Sequence, residues 1–182
     1  MKKILSLAFI LSTLLYSQDY YNLELDNTGV SQLIIFQNSI TSLEPGDEIG
    51  IFDASGITNS GDCSSQTAEL LVGAGVWSGD QLELVNIGSI DNCAFGGFQL
   101  PGWVSGNSVL IKIYRASQET EYIATATYSA GTGTFGDLFM AVSELTLDDG
   151  SYVGPYYNVD INPTGSNQLI IFQNSITSLE LG

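Results

Sequence analysis

Histidine is absent from the 182 residues, and only four side chains are basic against twenty acidic ones, a formal charge of −16. Without imidazole, every mechanism that uses it as base, proton shuttle or metal ligand is excluded. Two of the four cations, Lys2 and Lys3, stand at the very start of the chain. Beyond them only Lys112 and Arg115 face all twenty acids, which leaves a charge of −18. Two cations cannot neutralise a phosphate backbone, so nucleic acid is excluded as a partner. An anionic membrane surface repels such a chain. Long apolar runs are scarce as well. The uncharged stretch Ile4–Tyr16 has 13 residues, too few to span a bilayer comfortably.

What is present is the material of a folded core. The chain is 44% hydrophobic and 10% aromatic, with 9 Tyr and 8 Phe, unlike disordered sequences, which combine charge with few aromatic and β-branched residues. Its length is that of one ordinary domain.

The first residues read as an address. Lys2-Lys3, the apolar run and Ser17-Gln18 have the order of a secretory signal: charged start, hydrophobic middle, small residue at the cut. Residues 1–17 are expected to be removed, leaving Gln18 first and a secreted or surface-located protein with no membrane insertion after cleavage. Cys63 and Cys93 are the two cysteines. An even count in an oxidising compartment argues for a disulfide between them. Two Cys without His make a poor zinc site.

The strongest signal is a repeat. Residues 20–46, YYNLELDNTGVSQLIIFQNSITSLEPG, recur at an offset of 136 as residues 156–182, YYNVDINPTGSNQLIIFQNSITSLELG. Nineteen of 27 positions are identical, thirteen of them in a row from Gln32 to Glu44. The organisation expected is a signal peptide (1–17), one complete module (18–155) and the start of a second copy (156–182); the chain reads as a fragment of a longer array, the alternative being that the second copy completes another module. Because strand 169–172 is identical to strand 33–36, it is expected to pair wherever the first pairs, by strand exchange or head-to-tail addition at an incomplete edge.

After the first residues come short strands separated by turn residues: Leu33–Phe36, Glu48–Asp53, Glu69–Trp77, Gln81–Ile87, Val109–Tyr114, Tyr122–Tyr128 and Phe139–Leu147. Val109, Ile111 and Ile113 share one face, as do Tyr122, Ala124, Ala126 and Tyr128, with a hairpin turn at 116–120 between them. About eight short strands without a long 3.6-residue period predict an all-β antiparallel β-sandwich, Ig-like or jelly-roll-like. One stretch dissents: Phe135, Leu138, Phe139 and Val142 are helically spaced, which predicts a helical turn at 136–140.

Three motifs bear on chemistry. Gly131, Gly133 and Gly136 match G-x-G-x-x-G, but a dinucleotide site needs a βαβ unit around it, so a glycine-rich turn is the reading. The loop from Asp53 to Asp62 is rich in oxygen ligands; it reads either as a calcium site built on those two acids or as a solvated loop tethered by Cys63. Trp77 and Trp103 read either as platforms for sugar rings or as core. No motif marks a pair of catalytic carboxylates, and the chain reads as no enzyme.

The runs LEPGDEIGIFD, LLVGAGVW, QLPGW, SVLIKIYRAS and GTGTFGDLF resemble tandem β-sandwich modules in large secreted proteins of marine Bacteroidetes-type bacteria. The resemblance covers about 20–147 and implies cell-surface display, often through type IX secretion. It brings no activity and no functional residues. The function expected is a non-catalytic, adhesin-like or structural repeat module, with other repeat copies or cell-surface components as partners. The alternative is a carbohydrate-binding module for glycans, stabilised by Ca2+. N-terminal sequencing of the exported protein is expected to begin at Gln18; a retained Met1 contradicts the address.

Overall fold

The computed structural model describes residues 20–148 and 150; the second repeat copy and the leader lie outside them. Over the described residues the chain is an all-β, sandwich-like fold of nine strands. In chain order these are β1 (Ser31–Phe36), β2 (Glu48–Ile57), β3 (Thr67–Val76), β4 (Leu82–Ile87), β5 (Ile90–Asp91), β6 (Gln99–Leu100), β7 (Val109–Arg115), β8 (Thr120–Ala130) and β9 (Phe139–Asp148). Among the described residues the one helical element is a 3₁₀ turn, Cys93–Phe95.

Seven strands form one sheet in the order β3-β2-β7-β8-β9-β1-β4, and β5 pairs with β6 apart from it. The sheet rolls over so that its two ends meet. A methyl group on Gly73 of β3 would lie 2.0 Å from Oδ1 of Asn86 on β4, and one on Gly75 would lie 2.5 Å from Leu84. Glycine at these positions lets the two end strands come together. The enclosed face carries the core: Ile34, Phe36, Ile49, Ile51, Ile111, Ile113, Met140 and Val142 are all within 1% of complete burial. Full burial of each such side chain contributes about 1.5–3 kcal/mol. The alternation read at Ile111 and Ile113 holds, and Ala124 of β8 joins the same cluster.

Three expectations change. The sheet is not wholly antiparallel, because β1 runs parallel to β9, pairing Leu33–Phe36 with Phe139–Val142, while its other edge is antiparallel to β4. It follows that β1 is no open edge; anything that pairs in its place must displace it. The helical turn at 136–140 does not form. Leu138 is 93% exposed, β9 begins at Phe139, and Met140 and Val142 point inward at strand spacing. Finally, β2 runs on to Ile57, four residues past Asp53, and the connection 89–106 contains β5, the 3₁₀ turn and β6.

The glycine-rich segment is a turn. Gly131, Gly133 and Gly136 all have positive φ (86, 79 and 105°), where a side chain is strained. The Gly136 amide donates to Oε1 of Gln32 on β1 (2.8 Å).

Gly102 and Trp103 stitch the open end of the roll. Gly102 exchanges both backbone hydrogen bonds with Ile57 at the end of β2 (3.0 Å each), and the Trp103 amide donates to the Ile87 carbonyl at the end of β4 (3.0 Å). This crossing is tight: a Cβ on Gly102 would stand 2.3 Å from the Gly88 carbonyl carbon and 2.4 Å from the Ser89 nitrogen. Those obstacles are backbone, which cannot swing away. Gly102→Ala is therefore expected to destabilise by about 3 kcal/mol. Gly106→Ala, with φ of 92° but open space around it, should cost about 1 kcal/mol of strain. Urea unfolding of the two variants checks this, and equal midpoint shifts would contradict it.

Candidate functional site

The chemistry-bearing residues gather in the loops beyond the ends of β2 and β4. Cys63 and Cys93 form a disulfide, with Cα atoms 5.9 Å apart across a separation of 30 residues. In the chain-entropy description, closing a loop of that length stabilises by about 3–4 kcal/mol. The bridge ties the loop 58–66 to the turn 92–98.

Around the disulfide sits a network centred on Gln99, 2% exposed on β6. Its Oε1 accepts from Asn59 Nδ2 (3.0 Å) and from the Ser65 amide (3.0 Å), and its Nε2 donates to Ser65 Oγ (3.0 Å) and to Asp91 Oδ2 (2.9 Å). Asn59 in turn donates to Asp62 Oδ1 (2.8 Å) and accepts from the Gln66 amide (3.0 Å). Ser65 has φ of 51°, a conformation that costs about 1–2 kcal/mol outside glycine. Its three hydrogen bonds with Gln99, the third from its Oγ to Oε1 (3.3 Å), hold it there. Phe95, at the tip of the tethered turn, is 90% exposed.

Asp53 and Asp62 are not brought to one place by any shared partner. Asp53 is fully buried on β2. Its Oδ1 accepts from the Ser55 amide (2.9 Å) and from Asn107 Nδ2 (2.8 Å), and its Oδ2 from the Val104 amide (2.8 Å). Those donors fix the segment 104–107 to β2, and a cation at Asp53 would have to displace them. Asp62 accepts from Asn59 and from the amide and hydroxyl of Ser64. Among the described residues, no three of His, Cys, Asp or Glu group as a metal site would require.

Trp77 and Trp103 are 2% and 7% exposed. The Trp103 ring stacks on Phe135 (centroids 5.3 Å apart, planes at 5°), and its Nε1 donates to the Asn86 carbonyl (3.0 Å). A sugar platform needs an open ring face, and the structure gives both indoles to the core instead.

Sequence reasoning missed the buried ion pair. Arg115 at the end of β7 sends Nη2 to Asp47 Oδ2 (2.7 Å), Nε to Asp47 Oδ1 (3.0 Å) and Nη2 to the Ser42 carbonyl (2.9 Å). The hydrogen bond to Asp47 holds the guanidinium above its ordinary pKa. Lys112 meets Glu69 at 2.6 Å and lies 4.7 Å from the Phe52 ring centre. Scarcity was the available signal: a chain with two cations places each where an acid needs one. Glu48 was also missed. Its carboxylate accepts the amides of Tyr20 and Tyr21 (2.9 and 3.0 Å), and the Tyr21 hydroxyl donates to Glu121 (3.0 Å). Burial, then Glu121, pushes that phenol well above its ordinary range.

A shallow groove between residues 24–28 and the Ser60, Leu100 and Pro101 side has a volume of about 120 Å³, below the roughly 300–1,000 Å³ of small-molecule pockets. Set against protein-family models, curated proteins and solved structures, the chain matches none of them.

The carboxyls of Asp62 and Asp91 lie below their ordinary value of 3.8, held down first by the amides of Ser64 and Cys93. A depressed carboxyl stabilises the folded state above its unfolded pKa, and that contribution disappears as pH falls through the folded one. The Ser64 and Cys93 amide resonances should thus titrate with inflections below pH 3.8. Inflections at or above that value would contradict the assignment.

Proposed function

We propose that the chain is a non-catalytic repeat module of a secreted or surface-displayed protein, structural or adhesin-like in kind. The observation that carries this reading is the duplicated segment itself. Residues 20–46 supply a strand paired on both sides and its flanking anchors, and the same segment recurs 136 residues on. What is repeated is thus a unit of architecture. The polar residues support the same reading: Asp53, Gln99, Asn59 and Arg115 are spent on holding loops and strands together. The disulfide suits an oxidising compartment. Burial of Trp77 and Trp103 removes the feature on which the glycan-binding alternative rested.

Protease treatment of intact cells expressing the chain with its leader should remove it from the surface or find it in the medium. Purified protein should pass unretained through a panel of polysaccharide resins, with a thermal midpoint unchanged by chelator. Protection inside intact cells contradicts the location. Retention on one polysaccharide, with a midpoint lowered by chelator, favours the calcium-stabilised carbohydrate module instead.

A further inference from the structure

Residues 20–46 fill a slot in the module. Six of their side chains are buried: Tyr21, Gln32, Ile34, Phe36, Ile40 and Leu43. All six recur unchanged in the second copy, as Tyr157, Gln168, Ile170, Phe172, Ile176 and Leu179. The eight positions that differ, from Leu23 to Pro45, are all exposed or half-buried in the first copy. The side-chain hydrogen bonds by which the slot reads its occupant are also kept. Tyr21 bonds Glu121, Thr28 the Gly88 carbonyl, Ser39 the Ser143 carbonyl, and Gln32 the Gly136 amide. The copy carries Tyr157, Thr164, Ser175 and Gln168 at those places.

The chain path also suits a second occupant. The last residue of β9, Asp148, pairs with Ile123 on β8. Tyr21 is bonded to Glu121, two residues along that strand, and the Tyr20 ring stacks on Tyr114 of β7 at 3.7 Å. The strand spacing and rise put these places on the order of 10–15 Å apart. Seven residues, 149–155, separate Asp148 from Tyr156. Their extended reach is on the order of 25 Å, so Tyr156 and Tyr157 can arrive where Tyr20 and Tyr21 sit.

From these observations we infer that residues 156–182 are a second occupant of the slot held by residues 20–46, able to replace them in the same molecule. The replacement exchanges one set of buried side chains for an identical set, so the slot discriminates between the two only through surface positions and loop closure. Replacement makes the module tolerant of damage to its first strand, and in a longer array it gives neighbouring units interchangeable strands.

Full-length variants test this. Phe36 is fully buried, and a carboxylate there cannot be accommodated. Phe36→Asp alone should keep a cooperative thermal transition, Phe172→Asp alone should keep it too, and the double variant should lose it. In the Phe36→Asp background, cysteines at Val85 and Leu169 should cross-link within one chain, because Leu33, the counterpart of Leu169, is the Cα partner of Val85. Loss of the transition in Phe36→Asp alone would overturn the inference, as would its survival in the double variant. A folded Phe36→Asp protein without the cross-link, or with the cross-link joining two chains, would overturn replacement within one molecule.

Discussion

The rest of the structure depends on where β1 is seated. The first strand of the module lies between its last strand, β9, and β4. Without it β4 has no partner in the sheet, and the roll that brings β3 against β4 has nothing to close on. The pairing joins residues about a hundred positions apart, such as Leu33 with Phe139, and so closes the module from end to end. Ile34 and Phe36 carry that closure into the core, and Gln32 carries it into the polar layer, by accepting the Gly136 amide.

Closure at the open end is achieved by other means. Two glycines, Gly88 and Gly102, let backbones cross where Trp103 turns inward, and the indole fills the space beneath. Asp53 fixes the following segment, and the disulfide with Gln99 organises the loops outside it. Each is a short-range device in space between segments distant in sequence. Together they explain how a small rolled sheet tolerates long irregular connections. The strong negative charge fits this construction. Both cations of the described chain face acids, one of them in a buried pair with Asp47; the buried carboxylates of Glu48 and Asp53 are held by hydrogen bonds, and most other acids are exposed, where repulsion is screened.

The sequence made the local parts of this plan legible. Alternation at Val109, Ile111 and Ile113 located β7, turn residues bounded most strands, and the even cysteine count pointed to the disulfide. What local pattern could not reveal was partnership. The parallel pairing of β1 with β9 leaves no local trace, and the flanks of Trp103 do not tell a core ring from an exposed one. Asp53 looked like a ligand because its partners, Val104 and Asn107, come some fifty residues later. The helical spacing of Phe135, Leu138, Phe139 and Val142 was a coincidence of two structures. Phe135 belongs to the Trp103 stack, whereas Val142 belongs to a strand that starts after Leu138.

Hydrogen exchange on a chain ending at Gly150 tests the central claim most directly, because the second copy is then absent. If the sheet depends on β1, the amides of Ile34 and Phe36 exchange only through global unfolding, as slowly as those of Ile111, Ile113 and Met140. Exchange of β1 that is orders of magnitude faster, with β7 to β9 still protected, would show that the sheet stands without its first strand and would contradict the account.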